Sequence, residues 1–246
     1  MPEPKRILLL TTDFDRRDTL PFLEAAEKLG LLPIIGTERV DHIRLPWRED
    51  ALTLRFDTRD TVLSIIDYAQ PNPVAAVVPL DGRPVTVAAR AGSMLGLCWH
   101  PPKAADACTE PETFAARMST AGIGLTDKPS MFVSAFMDAG RIRVLGVFDA
   151  RDPERTLPLT SETGQRLLAG LRQFAEALAL RHGPFNVTLD IDEHALRVAG
   201  VSLAASTPTW RHRYKIPLVD EDMSYAEVAL RNALELDISR VFLKST

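Results

Sequence analysis

The chain has 246 residues, 46% apolar and 25% charged, an ordinary globular composition with enough length for one large core or two modest ones. Its net charge of −4 lacks the basic surplus of a nucleic-acid-binding surface. No segment is apolar for long enough to span a membrane, and the run after the first residues is too short for a signal peptide, so a cytoplasmic protein is expected.

The opening run RILLLTT, Arg6–Thr12, is continuously apolar and suits a parallel strand buried on both faces. Leu20, Phe22, Leu23, Ala26 and Leu29 then recur at helical spacing, with Gly30 as a stop. LLPIIG predicts a second strand, RDTVLSIIDYAQ a helix and VAAVVPL a further buried strand. The segment from Arg83 to Leu97 predicts a helix starting near Pro84, because proline suits a first helical turn. This alternation predicts a doubly wound parallel α/β sheet. Another helix spans Glu110 to Gly122.

The grammar then changes. Ser130 to Ala150 reads as a hairpin turning at DAG, and Thr160 to Leu180 as an amphipathic helix. FNVTLDIDEHALRVAGVSLAAS is a second hairpin, and SYAEVALRNALEL a last helix. An α/β unit over residues 1–126 is therefore expected to precede an α+β unit over 127–246, with a mostly antiparallel sheet in the second. Cys98 and Cys108 match no metal or redox spacing and read as buried free thiols in a reducing compartment.

Three places carry candidate chemistry. Asp81 and Arg83 lie just past a predicted parallel strand, where open α/β sheets bind ligands. Arg83 could hold an anion there; a capping turn by Asp81 is the alternative. Asp190 and Asp192 share a strand face with Thr188 and could supply a metal site, although aspartate at a hairpin tip is also a common turn residue. Arg211, Arg213 and Lys215 alternate in TWRHRYK and could meet an anion between Trp210 and Tyr214; a solvated basic loop is the alternative. No nucleophile–base set is recognisable.

Four passages in order resemble the ATP-grasp superfamily of carboxylate–amine ligases and biotin carboxylases: VAAVVPLDGRPVTVAARAGSMLGL, HPPKAAD…FAARMSTAGI, ALALRHGPFNVTLDID and MSYAEVALRNALEL. The resemblance implies a pre-ATP-grasp unit followed by an ATP-grasp unit, with ATP and Mg²⁺ as cofactors. It also implies features that this sequence lacks. A phosphate-binding lysine falls at Pro111. The lid subdomain, with its glycine-rich loop and second lysine, is reduced to Leu125–Met131. The two acidic metal ligands fall at Thr188 and Gly200, the family's asparagine at Ser202 and a nearby arginine at Ala204. Magnesium is a hard cation held by carboxylates and phosphates, and phosphoryl transfer needs its charge neutralised.

The expectation is a truncated, degenerate ATP-grasp-like protein with no catalytic residue of its own. It would bind a small anionic molecule or a partner protein, such as an active ligase subunit, or form a homodimer over the surface that a lid would cover. The alternative is a divergent ATP-dependent carboxylate–amine ligase with relocated ligands.

Overall fold

The computed structural model describes residues 4–14, 16–43, 47, 51–57, 60–152, 155–157, 160–191, 195–205 and 223–238, the side chains of residues 16 and 17 excepted. Its first sheet holds β1 (Arg6–Thr11), β2 (Leu32–Thr37), β3 (Leu52–Thr53) and β4 (Val74–Pro79), all parallel, in the order β3-β2-β1-β4. Helices α1 (Arg16–Lys28), α2 (Asp60–Ala69) and α3 (Val85–Met94) complete this unit.

The unbroken apolar run of β1 has a direct cause. Ile7 and Leu9 pack in a cluster with Phe22, Leu23 and Ala26 of α1. Leu8 and Leu10 pack on the opposite side with Ile65 of α2 and Val87, Ala88 and Ala91 of α3. A strand covered on both faces has no solvent side on which to place polar residues.

Two helices, α4 (Pro102–Thr109) and α5 (Pro111–Thr120), lead to the second sheet. Each starts on a proline, whose missing N–H costs nothing in a first turn. The second sheet holds β5 (Gly124–Leu125), β6 (Met131–Asp138), β7 (Arg141–Asp149), β8 (Gly183–Ile191) and β9 (Leu196–Ser202). Its order is β5-β9-β8-β6-β7, antiparallel except for β5 against β9. The mixed architecture expected from the sequence is therefore present. Helix α4 and the two-residue strands β3 and β5 went unforeseen.

Only Thr126–Ser130 joins β5 to β6, and it hugs the sheet: the Thr126 N–H donates to Val198 O and the Ser130 N–H to Leu189 O. No subdomain intervenes.

Helix α6 (Ser161–Ala177) covers one face of this sheet. Its Phe174 lies 6.5 Å from Phe185 of β8 and 6.4 Å from Phe114 of α5. Phe185, Val187 and Leu189 face that side, opposite Ala135, Val133 and Met131 of β6. Strand periodicity puts Asn186, Thr188 and Asp190 on the other face, beside Ser134 and Phe132. Helix α7 (Tyr225–Ala233) closes part of that second face, with the Tyr225 ring 5.7 Å from Phe136.

One apolar core runs through both sheets, from Ile7 and Val78 to Phe136 and Phe174. His100 sits at the seam, fully buried. Its Nδ1 accepts the Arg181 N–H at 3.4 Å, so Nε2 carries the proton and donates to Pro184 O at 2.9 Å. Burial drives this imidazole down to about 4. Gly183, at φ 120°, lies against the ring; a Cβ there would stand 3.2 Å from His100.

Candidate functional site

The first candidate region forms where β1, β2 and β4 end. Asp81 follows β4 and turns back onto the end of β1. Its carboxylate accepts the Thr12 N–H at 2.6 Å, the Thr12 hydroxyl at 2.8 Å and the Thr11 hydroxyl at 3.0 Å. It also accepts the Arg83 N–H at 3.1 Å. Asp81 thus clamps two strands together, and α3 starts without a side-chain cap. Of the capping turn given as the alternative, the Arg83 N–H bond is present, and the other three bonds cross to the end of β1.

Arg83 extends from the same turn to Glu38, Nη1 to Oε2 at 2.9 Å, and Glu38 Oε1 accepts the Phe56 N–H. The guanidinium is about half exposed. Its ion pair therefore contributes at most ~1 kcal/mol and yields readily to a stronger anion. Asp13 continues the rim, meeting His42 at 2.9 Å and Arg39 at 3.6 Å. Glu38 was not foreseen. Nothing in TERV marks it as the partner of a residue 45 positions on.

The second region is the face of the second sheet that α6 does not cover. Thr188 and Gly200 are direct register partners across the β8–β9 hairpin, and Asn186 pairs with Ser202. The positions onto which the resemblance puts two acidic ligands thus do face one another, and they offer one hydroxyl and no carboxylate. Ser202 Oγ accepts the Ala204 N–H at 3.3 Å. Asp190, one register step beyond Thr188, is committed elsewhere. It accepts the Ser130 hydroxyl at 2.5 Å and pairs with Arg197 at 2.9 Å. Among the described residues, no three His, Cys, Asp or Glu side chains come together to hold a metal ion. This donor set does not fit Mg²⁺, which takes carboxylate and phosphate oxygens in a near-octahedral shell.

Below Thr188 the same face turns polar and buried. Ser134, Asn186 and Tyr225 meet there, and burial raises the Tyr225 phenol above its ordinary range while hydrogen bonds from Asn186 and Ser134 oppose that rise. The two regions touch along one seam, where the Ala205 N–H donates to Pro79 O at 2.8 Å. The structure therefore brings Asp81 and Arg83 together and holds Asp190 on the other sheet. Asp192, Arg211, Arg213 and Lys215 lie outside the described residues, as does the rest of the WRHRYK cluster.

Cys98 and Cys108 are free and half-buried. Burial pushes Cys108 up to about 12, and burial with the nearby Glu235 raises Cys98, so neither thiol is primed as a nucleophile or ligand. Among the described residues, no helix is long and apolar enough to cross a membrane.

Solved structures share this arrangement. An L-amino acid ligase from Bacillus licheniformis superposes with a TM-score of 0.76 at 14% identity, over 95% of this chain and 75% of that one. A phosphoribosylglycinamide synthetase from Anaerococcus prevotii gives 0.72 at 12%, over 96% and 76%. An N5-carboxyaminoimidazole ribonucleotide synthetase from Thermotoga maritima gives 0.67 at 12%, over 98% and 78%. No family model and no curated protein matches the sequence. The chain thus has an ATP-grasp-like fold, shared with these structures over nearly its whole length. At such identities the likeness extends to the fold alone.

Proposed function

We propose that this protein keeps an ATP-grasp-like scaffold as a binding platform and is not, by itself, a competent ATP-dependent ligase. The observation that carries this reading is the Thr188–Gly200 pair. Two facing strand positions would need carboxylates to hold Mg²⁺ against nucleotide phosphates, and neither has one. Two further features support it. Asp190 is tied to Ser130 and Arg197, and Thr126–Ser130 leaves no room for a lid that would exclude water from a phosphoryl transfer.

The occupant would be a small anionic molecule at Arg83, beyond the first sheet, or a partner protein over the uncovered face of the second. A second copy of the chain or an active ligase subunit would fit that face. The free, protonated thiols agree with a reducing cytoplasm.

A divergent ligase is the second reading, favoured by the names of the structural neighbours, a ligase and two synthetases, and by an ADP complex among them. Calorimetric titration of the purified chain with Mg-ATP, with ADP as control, separates the two. Scaffold function predicts no heat at millimolar nucleotide. Micromolar, metal-dependent binding would overturn it and turn attention to Asp190 and Asp192.

A further inference from the structure

Helices α2 and α3 cover the face of the first sheet that points away from the core shared with the second. Ile65 of α2 packs there with Val87, Ala88 and Ala91 of α3. Beside that contact the two helices leave a groove of about 620 Å³, which Phe56 and Pro102 also line. Its apolar lining reaches the surface. Leu63 of α2 is 54% exposed and Met94 of α3 62% exposed. Among the described residues these are the two most exposed large apolar side chains, and they share one concavity; Leu125 and Leu236, the next two, stand on other elements.

The charges beside this apolar strip have a regular spacing. On α2, Asp60 and Asp67 stand one turn before and one turn after Leu63, on the same stripe of the helix. Both are exposed, and among the described residues neither carboxylate has an ion pair. On α3, Arg90 stands one turn before Met94 and lines the same groove. It meets Asp106 at 2.8 Å, but its guanidinium is about half exposed and keeps N–H donors for a second carboxylate.

Such a face is complementary to itself. A two-fold axis along the groove lays α2 of one copy on α3 of the other, with Leu63 against Met94. Arg90, one turn from Met94, then meets Asp60 if the helices run one way and Asp67 if they run the other, because α2 carries a carboxylate on both sides of Leu63. An axis across the groove would lay α2 on α2 and set like charges together. Two-fold symmetry makes every contact twice. An apolar centre with a charged rim is also the anatomy of a specific interface.

We propose that the α2–α3 groove is the contact face of a symmetric dimer of this chain. Leu63 and Met94 form its apolar centre, and Asp60, Asp67 and Arg90 fix how the two copies lie. Few apolar side chains per copy enter the contact, so the dimer belongs to the small, weak class and should dissociate at micromolar concentration. This surface differs from the open face of the second sheet, where Thr188 and Gly200 lie.

The test is sedimentation velocity on the full chain, from low micromolar to millimolar protein. The expected result is a monomer–dimer equilibrium. Met94→Glu and Leu63→Glu should each weaken it by more than about tenfold, because each dimer then buries two carboxylates against apolar surface. Both sites are exposed in the single chain, so an unchanged thermal transition at low concentration confirms intact folding. The double variant Asp60→Lys with Asp67→Lys, and the variant Arg90→Glu, should each dimerise several-fold more weakly alone. An equimolar mixture of the two should recover the association, because opposite charges then face each other in both halves of the contact. Gly200→Glu should change nothing. A monomer at millimolar concentration overturns the proposal. So does a dimer that Met94→Glu leaves intact or that Gly200→Glu abolishes, and so does a mixture no more dimeric than its components. The Mg-ATP titration is a separate readout, because nucleotide binding is measured on the single chain whether or not it dimerises.

Discussion

At the level of single residues, two polar groups, the half-buried Asp81 and the buried His100, carry most of the testable chemistry. Asp81 accepts four hydrogen bonds, two of them from backbone N–H groups, and ties the ends of β1 and β4 together. Asp81→Ala leaves those donors unsatisfied and should cost about 2 kcal/mol; urea denaturation would show it as a lower midpoint at unchanged slope. Asp81→Asn, which keeps the acceptor, should cost less. His100 predicts a pH dependence. Its folded pKa of about 4 lies below the ordinary 6.5, so the unfolded chain takes up a proton in that interval that the folded chain does not. The stability due to a neutral His100 is fully present above about pH 6.5 and is lost as pH falls toward 4, at most ~3 kcal/mol in all. Chemical denaturation of wild type and His100→Gln across pH 7 to 4 should show the steeper fall in wild type. Parallel curves would remove His100 from that role.

At the level of elements, five of the seven described α-helices close on a residue in the left-handed region, and in two of those five it is not glycine. α1, α3 and α5 each close with glycine in the left-handed region, Gly30, Gly96 and Gly122 at φ 66° to 69°. In each the following N–H reaches back into the last turn, as Leu31 does to Ala26 O. α6 and α7 close with the same hydrogen bonds, Leu180 N–H to Ala175 O and Leu236 N–H to Arg231 O. Their left-handed residues, however, are Ala179 and Glu235, both at φ 56°. A Cβ in that conformation is unfavourable by about 1 kcal/mol. Ala179→Gly should therefore stabilise the protein by up to that amount, read as a rise in melting temperature, while Gly122→Ala should lower it. This also explains an asymmetry of legibility. The stops at Gly30 and Gly122 stand out in the sequence, whereas the stop of α6 is visible only as a hydrogen-bond pattern. Gly183 is a third kind of case. Its φ of 120° and its contact with His100 leave no room for a side chain, so Gly183→Ala should destabilise by more than ~1 kcal/mol.

At the level of the whole molecule, the two sheets share one apolar core. Thr188, Gly200 and Ser202 lie on a half-buried face bordered by α7. If a partner chain covers that face, light scattering of the purified protein with a candidate ligase subunit should show a complex. Glu substitution at Gly200, which lies in open space, should disrupt the complex without unfolding the chain. Loss of the complex together with loss of fold would argue against an interface there.

The sequence by itself determined the backbone plan and the residue types that the second hairpin presents. β1 is legible because a doubly buried strand must be apolar at every position, and the amphipathic α6 because one face meets a sheet while the other meets water. The absence of carboxylates at Thr188 and Gly200 is a matter of residue identity, readable once the hairpin register is set by its alternating pattern. Only the tertiary structure decided which charges meet. Arg83 finds Glu38, Asp190 finds Arg197 and Ser130, and Lys28 of α1 finds Glu227 of α7. Those pairings depend on distances between residues remote in the chain, and Coulomb and hydrogen-bond energies depend on such distances, which no local pattern of residue types encodes.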